Sequence, residues 1–300
     1  VTVGDRNIQD LMLTPVKHLY PWTLKLADSL SEHDKTISKR ILIEINNRLQ
    51  YLGDVGLDYL DLNRLSNSLS GGESQRINLS TMLGSSLVGS MYILDEPSIG
   101  LHPRDTQRLI KVLKSLRDVG NTVIVVEHDE EIMNEADQII DLGPEAGTHG
   151  GELVFQGTMA EMNDKTSSLT AQYLMGNLNI ETPKTRRNWK YSVDMEGVHQ
   201  NNLKNVNVSI PLEVMTVITG VSGSGKSSLI RDVFYPNLLK LLTGHQYVAG
   251  NFNSYGGDVS RIESVEFVDQ NPIGKSSRSN PVTYVKAFDD IRSLFSSQKL

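Results

Sequence analysis

Gly220-Val221-Ser222-Gly223-Ser224-Gly225-Lys226-Ser227 is a complete phosphate-binding loop of the G-x-x-x-x-G-K-S pattern. Gly220, Gly223 and Gly225 let the backbone wrap closely, so that its amide hydrogens and the N-terminus of the following helix meet negative charge. Lys226 can neutralise the β- and γ-phosphates of a nucleotide, Ser227 carries the hydroxyl that ligates magnesium, and Ser224 and Ser228 are further donors. Gly220 to Ser228, with Val221 and Ser222, is therefore the candidate ATP-binding set. Such a loop needs a strand before it and a helix after it. Val214 to Thr219 is an apolar run of strand length, and Lys226 opens a helical pattern through Leu229, Ile230, Val233 and Phe234. An unrelated serine-glycine turn would lack that setting.

Upstream, Met91 to Leu94 is an apolar strand ending in Asp95-Glu96. One carboxylate at such an end can hold the magnesium shell while the next polarises an attacking water. A lone Asp-Glu pair is commonly a solvated turn, but here it runs into Pro97-Ser98-Ile99-Gly100-Leu101-His102. Thr122 to Val126 is a second β-rich run, and His128 follows it, where an imidazole can reach a γ-phosphate and orient water. Alone, His128 reads as a surface residue; within the ordered set it reads as a switch histidine. Leu109, Ile110, Leu113 and Leu116 between the two strands have helical spacing, so the segment predicts strand, helix, strand in a parallel sheet.

Before that unit stands Leu69-Ser70-Gly71-Gly72-Glu73-Ser74-Gln75-Arg76. Ser70 and Glu73 form a capping box that opens a helix through Ile77, Met82 and Leu83. Ser70, Gly71 and Gly72 thus offer a hydroxyl, bare amides and a positive dipole end to a phosphate held by a different module. Glu73 and Gln75 complete this signature group. Gln270, within Val268-Asp269-Gln270, stands at a plausible distance after the loop for a glutamine that senses magnesium and water. Ser227, Gln270 and Asp95 are the candidate magnesium contacts.

Residues 34 to 52 place Ile37, Ile41, Leu42, Ile45, Leu49 and Leu52 on one helical face. A further helix is predicted over Ile132, Met133, Ala136, Ile139 and Ile140, and a hairpin around Gly150-Gly151 before Glu152 to Gln156. The pattern weakens from about Asn163 to Tyr191, and the polar, basic stretch Pro183 to Asn188 marks the expected boundary. Beyond it Leu203 to Ile210 alternates like a strand, while residues 244 to 260 read as an exposed loop.

Three hundred residues suffice for about two domains. A net charge of -7 argues against a chain coated in phosphate backbone, though a local basic groove is compatible with it. Without cysteine there is no disulfide and no thiolate zinc site, and seven scattered histidines suggest no metal cluster. No apolar run reaches bilayer length and no secretory leader is visible, so no membrane role and a cytoplasmic location are the default expectations. Val1 is not an initiator methionine, and the chain is expected to be an excerpt of a longer polypeptide.

Together the motifs resemble those of ABC-type ATPases, an α/β P-loop NTPase fold with a helical signature subdomain. The connecting text resembles the UvrA family, the damage-sensing ATPases of bacterial nucleotide excision repair. It does so at Val55-Gly56-Leu57-Asp58-Tyr59-Leu60, at Leu94 to His102, at Val125-Val126-Glu127-His128-Asp129, at Asn201-Asn202-Leu203-Lys204-Asn205 and at Arg278-Ser279-Asn280-Pro281. That family carries two ABC modules in one polypeptide, which accounts for a phosphate loop lying downstream of the signature. The resemblance implies that residues 1–182 are the second half of a first module and 183–300 the first half of a second.

Ser70, Gly71 and Gly72 would then face the nucleotide held at Lys226 and Ser227. Asp95, Glu96 and His128 would serve another site, with Glu96 and His128 as its catalytic residues. It further implies ATP and magnesium as cofactors, zinc only outside this chain, a homodimer, damaged double-stranded DNA and UvrB as partners, and UvrC downstream. The isolated excerpt is expected to hydrolyse ATP weakly. Three other readings share the short motifs. They are a transporter's cytosolic ATPase, a chromosome-maintenance ATPase, which calls for a sustained heptad run that this chain lacks, and a circularly permuted single module.

Overall fold

In the computed structural model, which describes residues 1–69, 71–84, 88–162, 168–269 and 280–298, the strand, helix, strand expectation is met. The chain divides into two units, Val1–Asn188 with Met215–Lys226, and Trp189–Val214 with Ser227–Leu300. The first carries α1 (Ile8–Met12), α2 (Val16–Ser29), α3 (Glu32–Asp54), α4 (Gly71–Leu83), β1 (Met91–Asp95), α5 (Pro103–Asp118) and β2 (Thr122–Val126). It continues with α6 (Glu130–Asn134), β3 (Ile139–Gly143), β4 (Glu152–Gly157) and α7 (Leu169–Leu174).

β1 and β2 are parallel, in register from Met91 opposite Thr122 to Asp95 opposite Val126. β1 alternates, burying Tyr92 and Leu94 while Met91 and Ile93 stay exposed. α5 lays Leu109, Ile110, Val112, Leu113 and Leu116 into the same core, which Leu79 of α4 and Val55, Leu57 and Leu60 complete. This register places the residues after β1 and β2 side by side at the C-terminal edge of the pair, the usual place for ligands on parallel sheets. The opposite face, with Met91, Ile93, Ile124 and Val126, is uncovered, although parallel sheets are ordinarily buried on both faces.

α3 begins at the Ser31 cap, whose hydroxyl accepts from the Asp34 amide, and covers the predicted span. Only its end is packed: Leu49 joins Val16 and Leu19 of α2, while Ile37 and Ile41 are exposed.

The predicted helix over 132–140 is corrected. α6 ends at Asn134, and Ile139 and Ile140 lie in β3, paired antiparallel with Gly157 and Gln156 of β4. The apolar spacing there fits either period, and pairing with β4 decides. Gly150-Gly151 does precede the return strand, within an eight-residue connection from 144 to 151.

The second unit holds β5 (Ser192–Val198), β6 (Val206–Pro211), a π-helical turn at Ser228–Phe234 running into α8 (Tyr235–Thr243), β7 (Ser254–Gly257), α9 (Pro281–Tyr284) and α10 (Ala287–Ser296). Its sheet has the order β6-β5-β7, antiparallel throughout, over a core of Met195, Val198, Leu229 and Val233. Two expectations differ here. Val214 to Thr219 forms no strand, with Met215 and Val217 exposed, because an apolar run becomes a strand only beside a partner edge. Residues 244 to 260, expected as a loop, contain β7, which pairs with β5.

Candidate ATP site

The glycine loop owes its shape to three left-handed residues. Gly220, Gly223 and Gly225 have φ of 145°, 73° and 102°, values that L side chains rarely adopt. Inside the curve the Lys226 ammonium donates to the carbonyls of Gly220 at 2.7 Å and Val221 at 2.9 Å, so the loop already surrounds a cation. Ser224 N–H closes the turn onto Val221 O at 3.1 Å. Ser227 is helical at φ -66°, ψ -37°, and Ser228 Oγ accepts from Asn201 Nδ2 at 2.9 Å. Asn201, itself at φ 53°, was not among the expected site residues; the Asn201-Asn202 pair ahead of a strand is the signal that marks it.

Gly223 has a second reason to be glycine. A Cβ there would lie 2.6 to 2.8 Å from the Tyr59 ring. The Tyr59 hydroxyl donates to Glu73, a buried carboxylate in the first turn of α4. Burial, then the hydrogen bond and charge of Glu73, push the Tyr59 hydroxyl pKa well above the ordinary phenol value. A direct line of contacts thus runs from the glycine loop to the signature helix. Gly71 and Gly72 open α4, and a Cβ on Gly72 would meet Ile99 O at 2.6 Å, so this glycine is set by close approach of the loop after β1. Gln75 Nε2 donates to Asp95 O at 2.7 Å, joining the signature helix to the end of β1. Ser70 and Gln270 lie outside the described residues.

At the C-terminal edge of β1 and β2 the structure brings Glu96 and His128 together. Glu96 N–H donates to Val126 O at 2.9 Å, and His128 Nδ1 stands 3.8 Å from Glu96 Oε1. Both side chains are open to solvent, and Glu96 occupies the left-handed region at φ 44°. Glu127 was not expected as a site residue. Its carboxylate accepts from Ser98 N at 2.9 Å, His128 N at 2.9 Å and Asp129 N at 3.1 Å. Burial alone would raise its pKa, but donors from Ser98, His128 and Asp129 together hold it below the usual carboxylate value.

Between β2 and β3 lies a groove of about 970 Å³ lined by Val123, Val125, Glu127, His128, Ile139 and Ile140, among others. Among the described residues no group of three or more His, Asp or Glu could hold a metal, and no helix is long and apolar enough to cross a membrane. A magnesium ion that keeps its waters and leans on substrate phosphates needs only one or two protein oxygens, so Asp95 and Ser227 suit that mode individually.

No family model matches the chain. Curated relatives do. It is 49% identical over 296 residues to UvrABC system protein A of Staphylococcus epidermidis, covering 98% of this chain and 31% of that protein. It is 50% identical over 297 residues to the protein of the same name from Thermus thermophilus, again 31% of its length. Among solved structures, UvrA2 from Deinococcus radiodurans matches with a TM-score of 0.89 at 38% identity, over 99% of this chain and 37% of that one. The chain therefore spans about a third of the relatives it matches. Its fold is that of a P-loop ATPase of the ABC type.

Proposed function

We propose that this chain, similar over nearly its whole length to UvrABC system protein A, contributes parts of two different ATP sites to a DNA-repair ATPase. The observation that supports the reading is the contact line from Gly223 through Tyr59 to Glu73, which links the phosphate loop to α4. Residues 1–182 act as the second half of one ABC module and 183–300 as the first half of another. The relatives found are repair proteins, so the transporter reading is not favoured.

The loop fits the triphosphate it is assigned. Three left-handed glycines open the backbone, and Lys226, now satisfied by two carbonyls of the loop itself, has the reach to exchange them for phosphate oxygens. Bound ATP and magnesium supply a transferable γ-phosphoryl group and neutralise its developing charge. Gly220 to Ser228 would hold and orient the phosphates, and Gln270 and the Ser227 hydroxyl would be the residues to hold magnesium there. Ser70, Gly71 and Gly72 would donate to that nucleotide. At the second site Asp95 would hold magnesium, with Glu96 as the base for the attacking water and His128 orienting it. That site needs a phosphate loop other than Gly220 to Ser228.

By the same reading the full-length protein dimerises in the cytoplasm, tests duplex DNA for lesions, loads UvrB and precedes UvrC; its zinc modules lie outside this chain. The test is ATP turnover and DNA binding by the full-length protein and its Lys226→Ala variant. Turnover should fall about a hundredfold, with weaker preference for duplex bearing one bulky lesion over undamaged duplex. Equal affinity of the unaltered protein for the two duplexes would remove the repair reading, and unchanged turnover in the variant would remove the ATP assignment.

A further inference from the structure

The Glu127 carboxylate lies between the two loops that leave β1 and β2, and it accepts three backbone hydrogen bonds from them. Ser98 N, on the loop that follows Asp95-Glu96, donates at 2.9 Å; His128 N and Asp129 N, after β2, donate at 2.9 and 3.1 Å. Its side chain therefore ties the segment carrying the water-polarising carboxylate to the segment carrying the histidine. Among the described residues, the other ties between these loops are few beyond the strand register. Glu96 N–H bonds Val126 O, but the Glu96 and His128 side chains meet only at 3.8 Å and both are largely solvated. Asp129 turns the other way, accepting from Glu131 N and Ile132 N to cap α6, so the chain on both sides of His128 is pinned by a carboxylate.

We infer that Glu127 is a positioning residue for hydrolysis, holding the His128 backbone and the loop after Glu96 at a fixed separation so that imidazole and carboxylate address the same water. This rests on the proposed roles of Glu96 and His128. Glu127 touches no reacting atom itself. It works by making the separation of two catalytic groups independent of solvent fluctuation, where a displacement of about 1 Å is enough to cost on the order of a hundredfold in rate. The carboxylate suits the task because three N–H groups converge on its two oxygens. A glutamine keeps one acceptor oxygen, and an alanine keeps none.

The experiment uses the full-length protein and steady-state ATP turnover for Glu127→Ala, Glu127→Gln, His128→Ala and the double variant Glu127→Ala/His128→Ala. Expected are a fall of about tenfold to a hundredfold in kcat for Glu127→Ala with KM within about twofold, and an intermediate kcat for Glu127→Gln. The double variant should be no slower than His128→Ala alone, because Glu127 acts through the histidine. A reduced His128→Ala together with wild-type kcat in both Glu127 variants overturns the inference. So does a double variant whose losses multiply. Wild-type turnover in His128→Ala instead sinks the underlying site assignment. A Glu127→Gln protein that still melts well above the assay temperature separates a positioning defect from a folding one, and a kcat loss fully explained by lost folded protein counts against the inference.

Discussion

The glycine loop at 220–227 and the carboxylate-histidine edge at 95–128 are built by opposite means. The loop is made almost entirely of itself. Its glycines supply the left-handed turns, and its lysine is held by its own carbonyls, even though the run of residues before it forms no strand. The edge exists only because two strands 31 positions apart, Met91 and Thr122 at their starts, keep perfect register and because a third carboxylate bridges the loops that follow. A local motif survives the absence of its sheet; a composite one is only as good as its neighbours.

The widest gap between the two regions should appear with Glu96→Gln in the full-length protein. ATP retention at the loop should persist while turnover falls by about 10²- to 10⁴-fold, read by nucleotide binding beside product release. Joint loss of binding and turnover would erase the distinction. Next in size is Gly223→Leu. It forces a left-handed residue at about 1–2 kcal/mol and drives a side chain into the Tyr59 ring, so nucleotide affinity should weaken tenfold or more in a titration with a fluorescent ATP analogue. Combining it with Tyr59→Ala should restore part of that loss if the ring is the obstacle.

How much of this was legible depended on how far apart the deciding residues lie. β1, α5 and β2 are readable because a short apolar, β-rich run, a 3.6-residue stripe and a second β-rich run follow one another. Ile139 and Ile140 were misread because the spacing of Ile132, Met133 and Ala136 continues a helix through them, while β4, which claims them, lies beyond a separate connection. Ser254-Tyr255-Gly256-Gly257 carries two glycines and no strand signature, yet β5 recruits it from about sixty residues away. Val214 to Thr219 differs in the reverse direction, with strand composition and no strand partner among the described residues. Of the candidate site, the loop has its left-handed glycines but no strand before it, while the meetings of Glu96 with His128 and of Gln75 with Asp95 O join segments whose contact no spacing specifies. Glu127 leaves little trace in residue type, since the hydrogen bonds that tie it to both loops come from backbone N–H groups. The contact of Tyr59 with Gly223 joins positions that no local pattern links.

Smaller effects sharpen the same contrast. Tyr59→Phe removes a donor to the buried Glu73 carboxylate and should lower stability by about 1–2 kcal/mol, seen as a reduced Tm, while leaving the shape of the loop intact. Smallest is the acid response of the edge. The Glu127 pKa is depressed in the folded state, so its contribution is present above the ordinary carboxylate value and disappears as pH falls through the lower folded value. Glu127→Gln should therefore lower Tm slightly at neutral pH, where that contribution is lost, and flatten the acid limb so that the two proteins converge below about pH 4. An identical acid limb in both proteins would show that the bridge carries no charge-dependent stabilisation.

Glu96 sits at φ 44°, a conformation that glycine adopts freely and a side chain resists. A selection that rewarded heat resistance alone would thus drift toward glycine or asparagine at this position and discard the group assigned to activate water. On the proposed role of Glu96, the hardiest descendant of this protein would be an idle one.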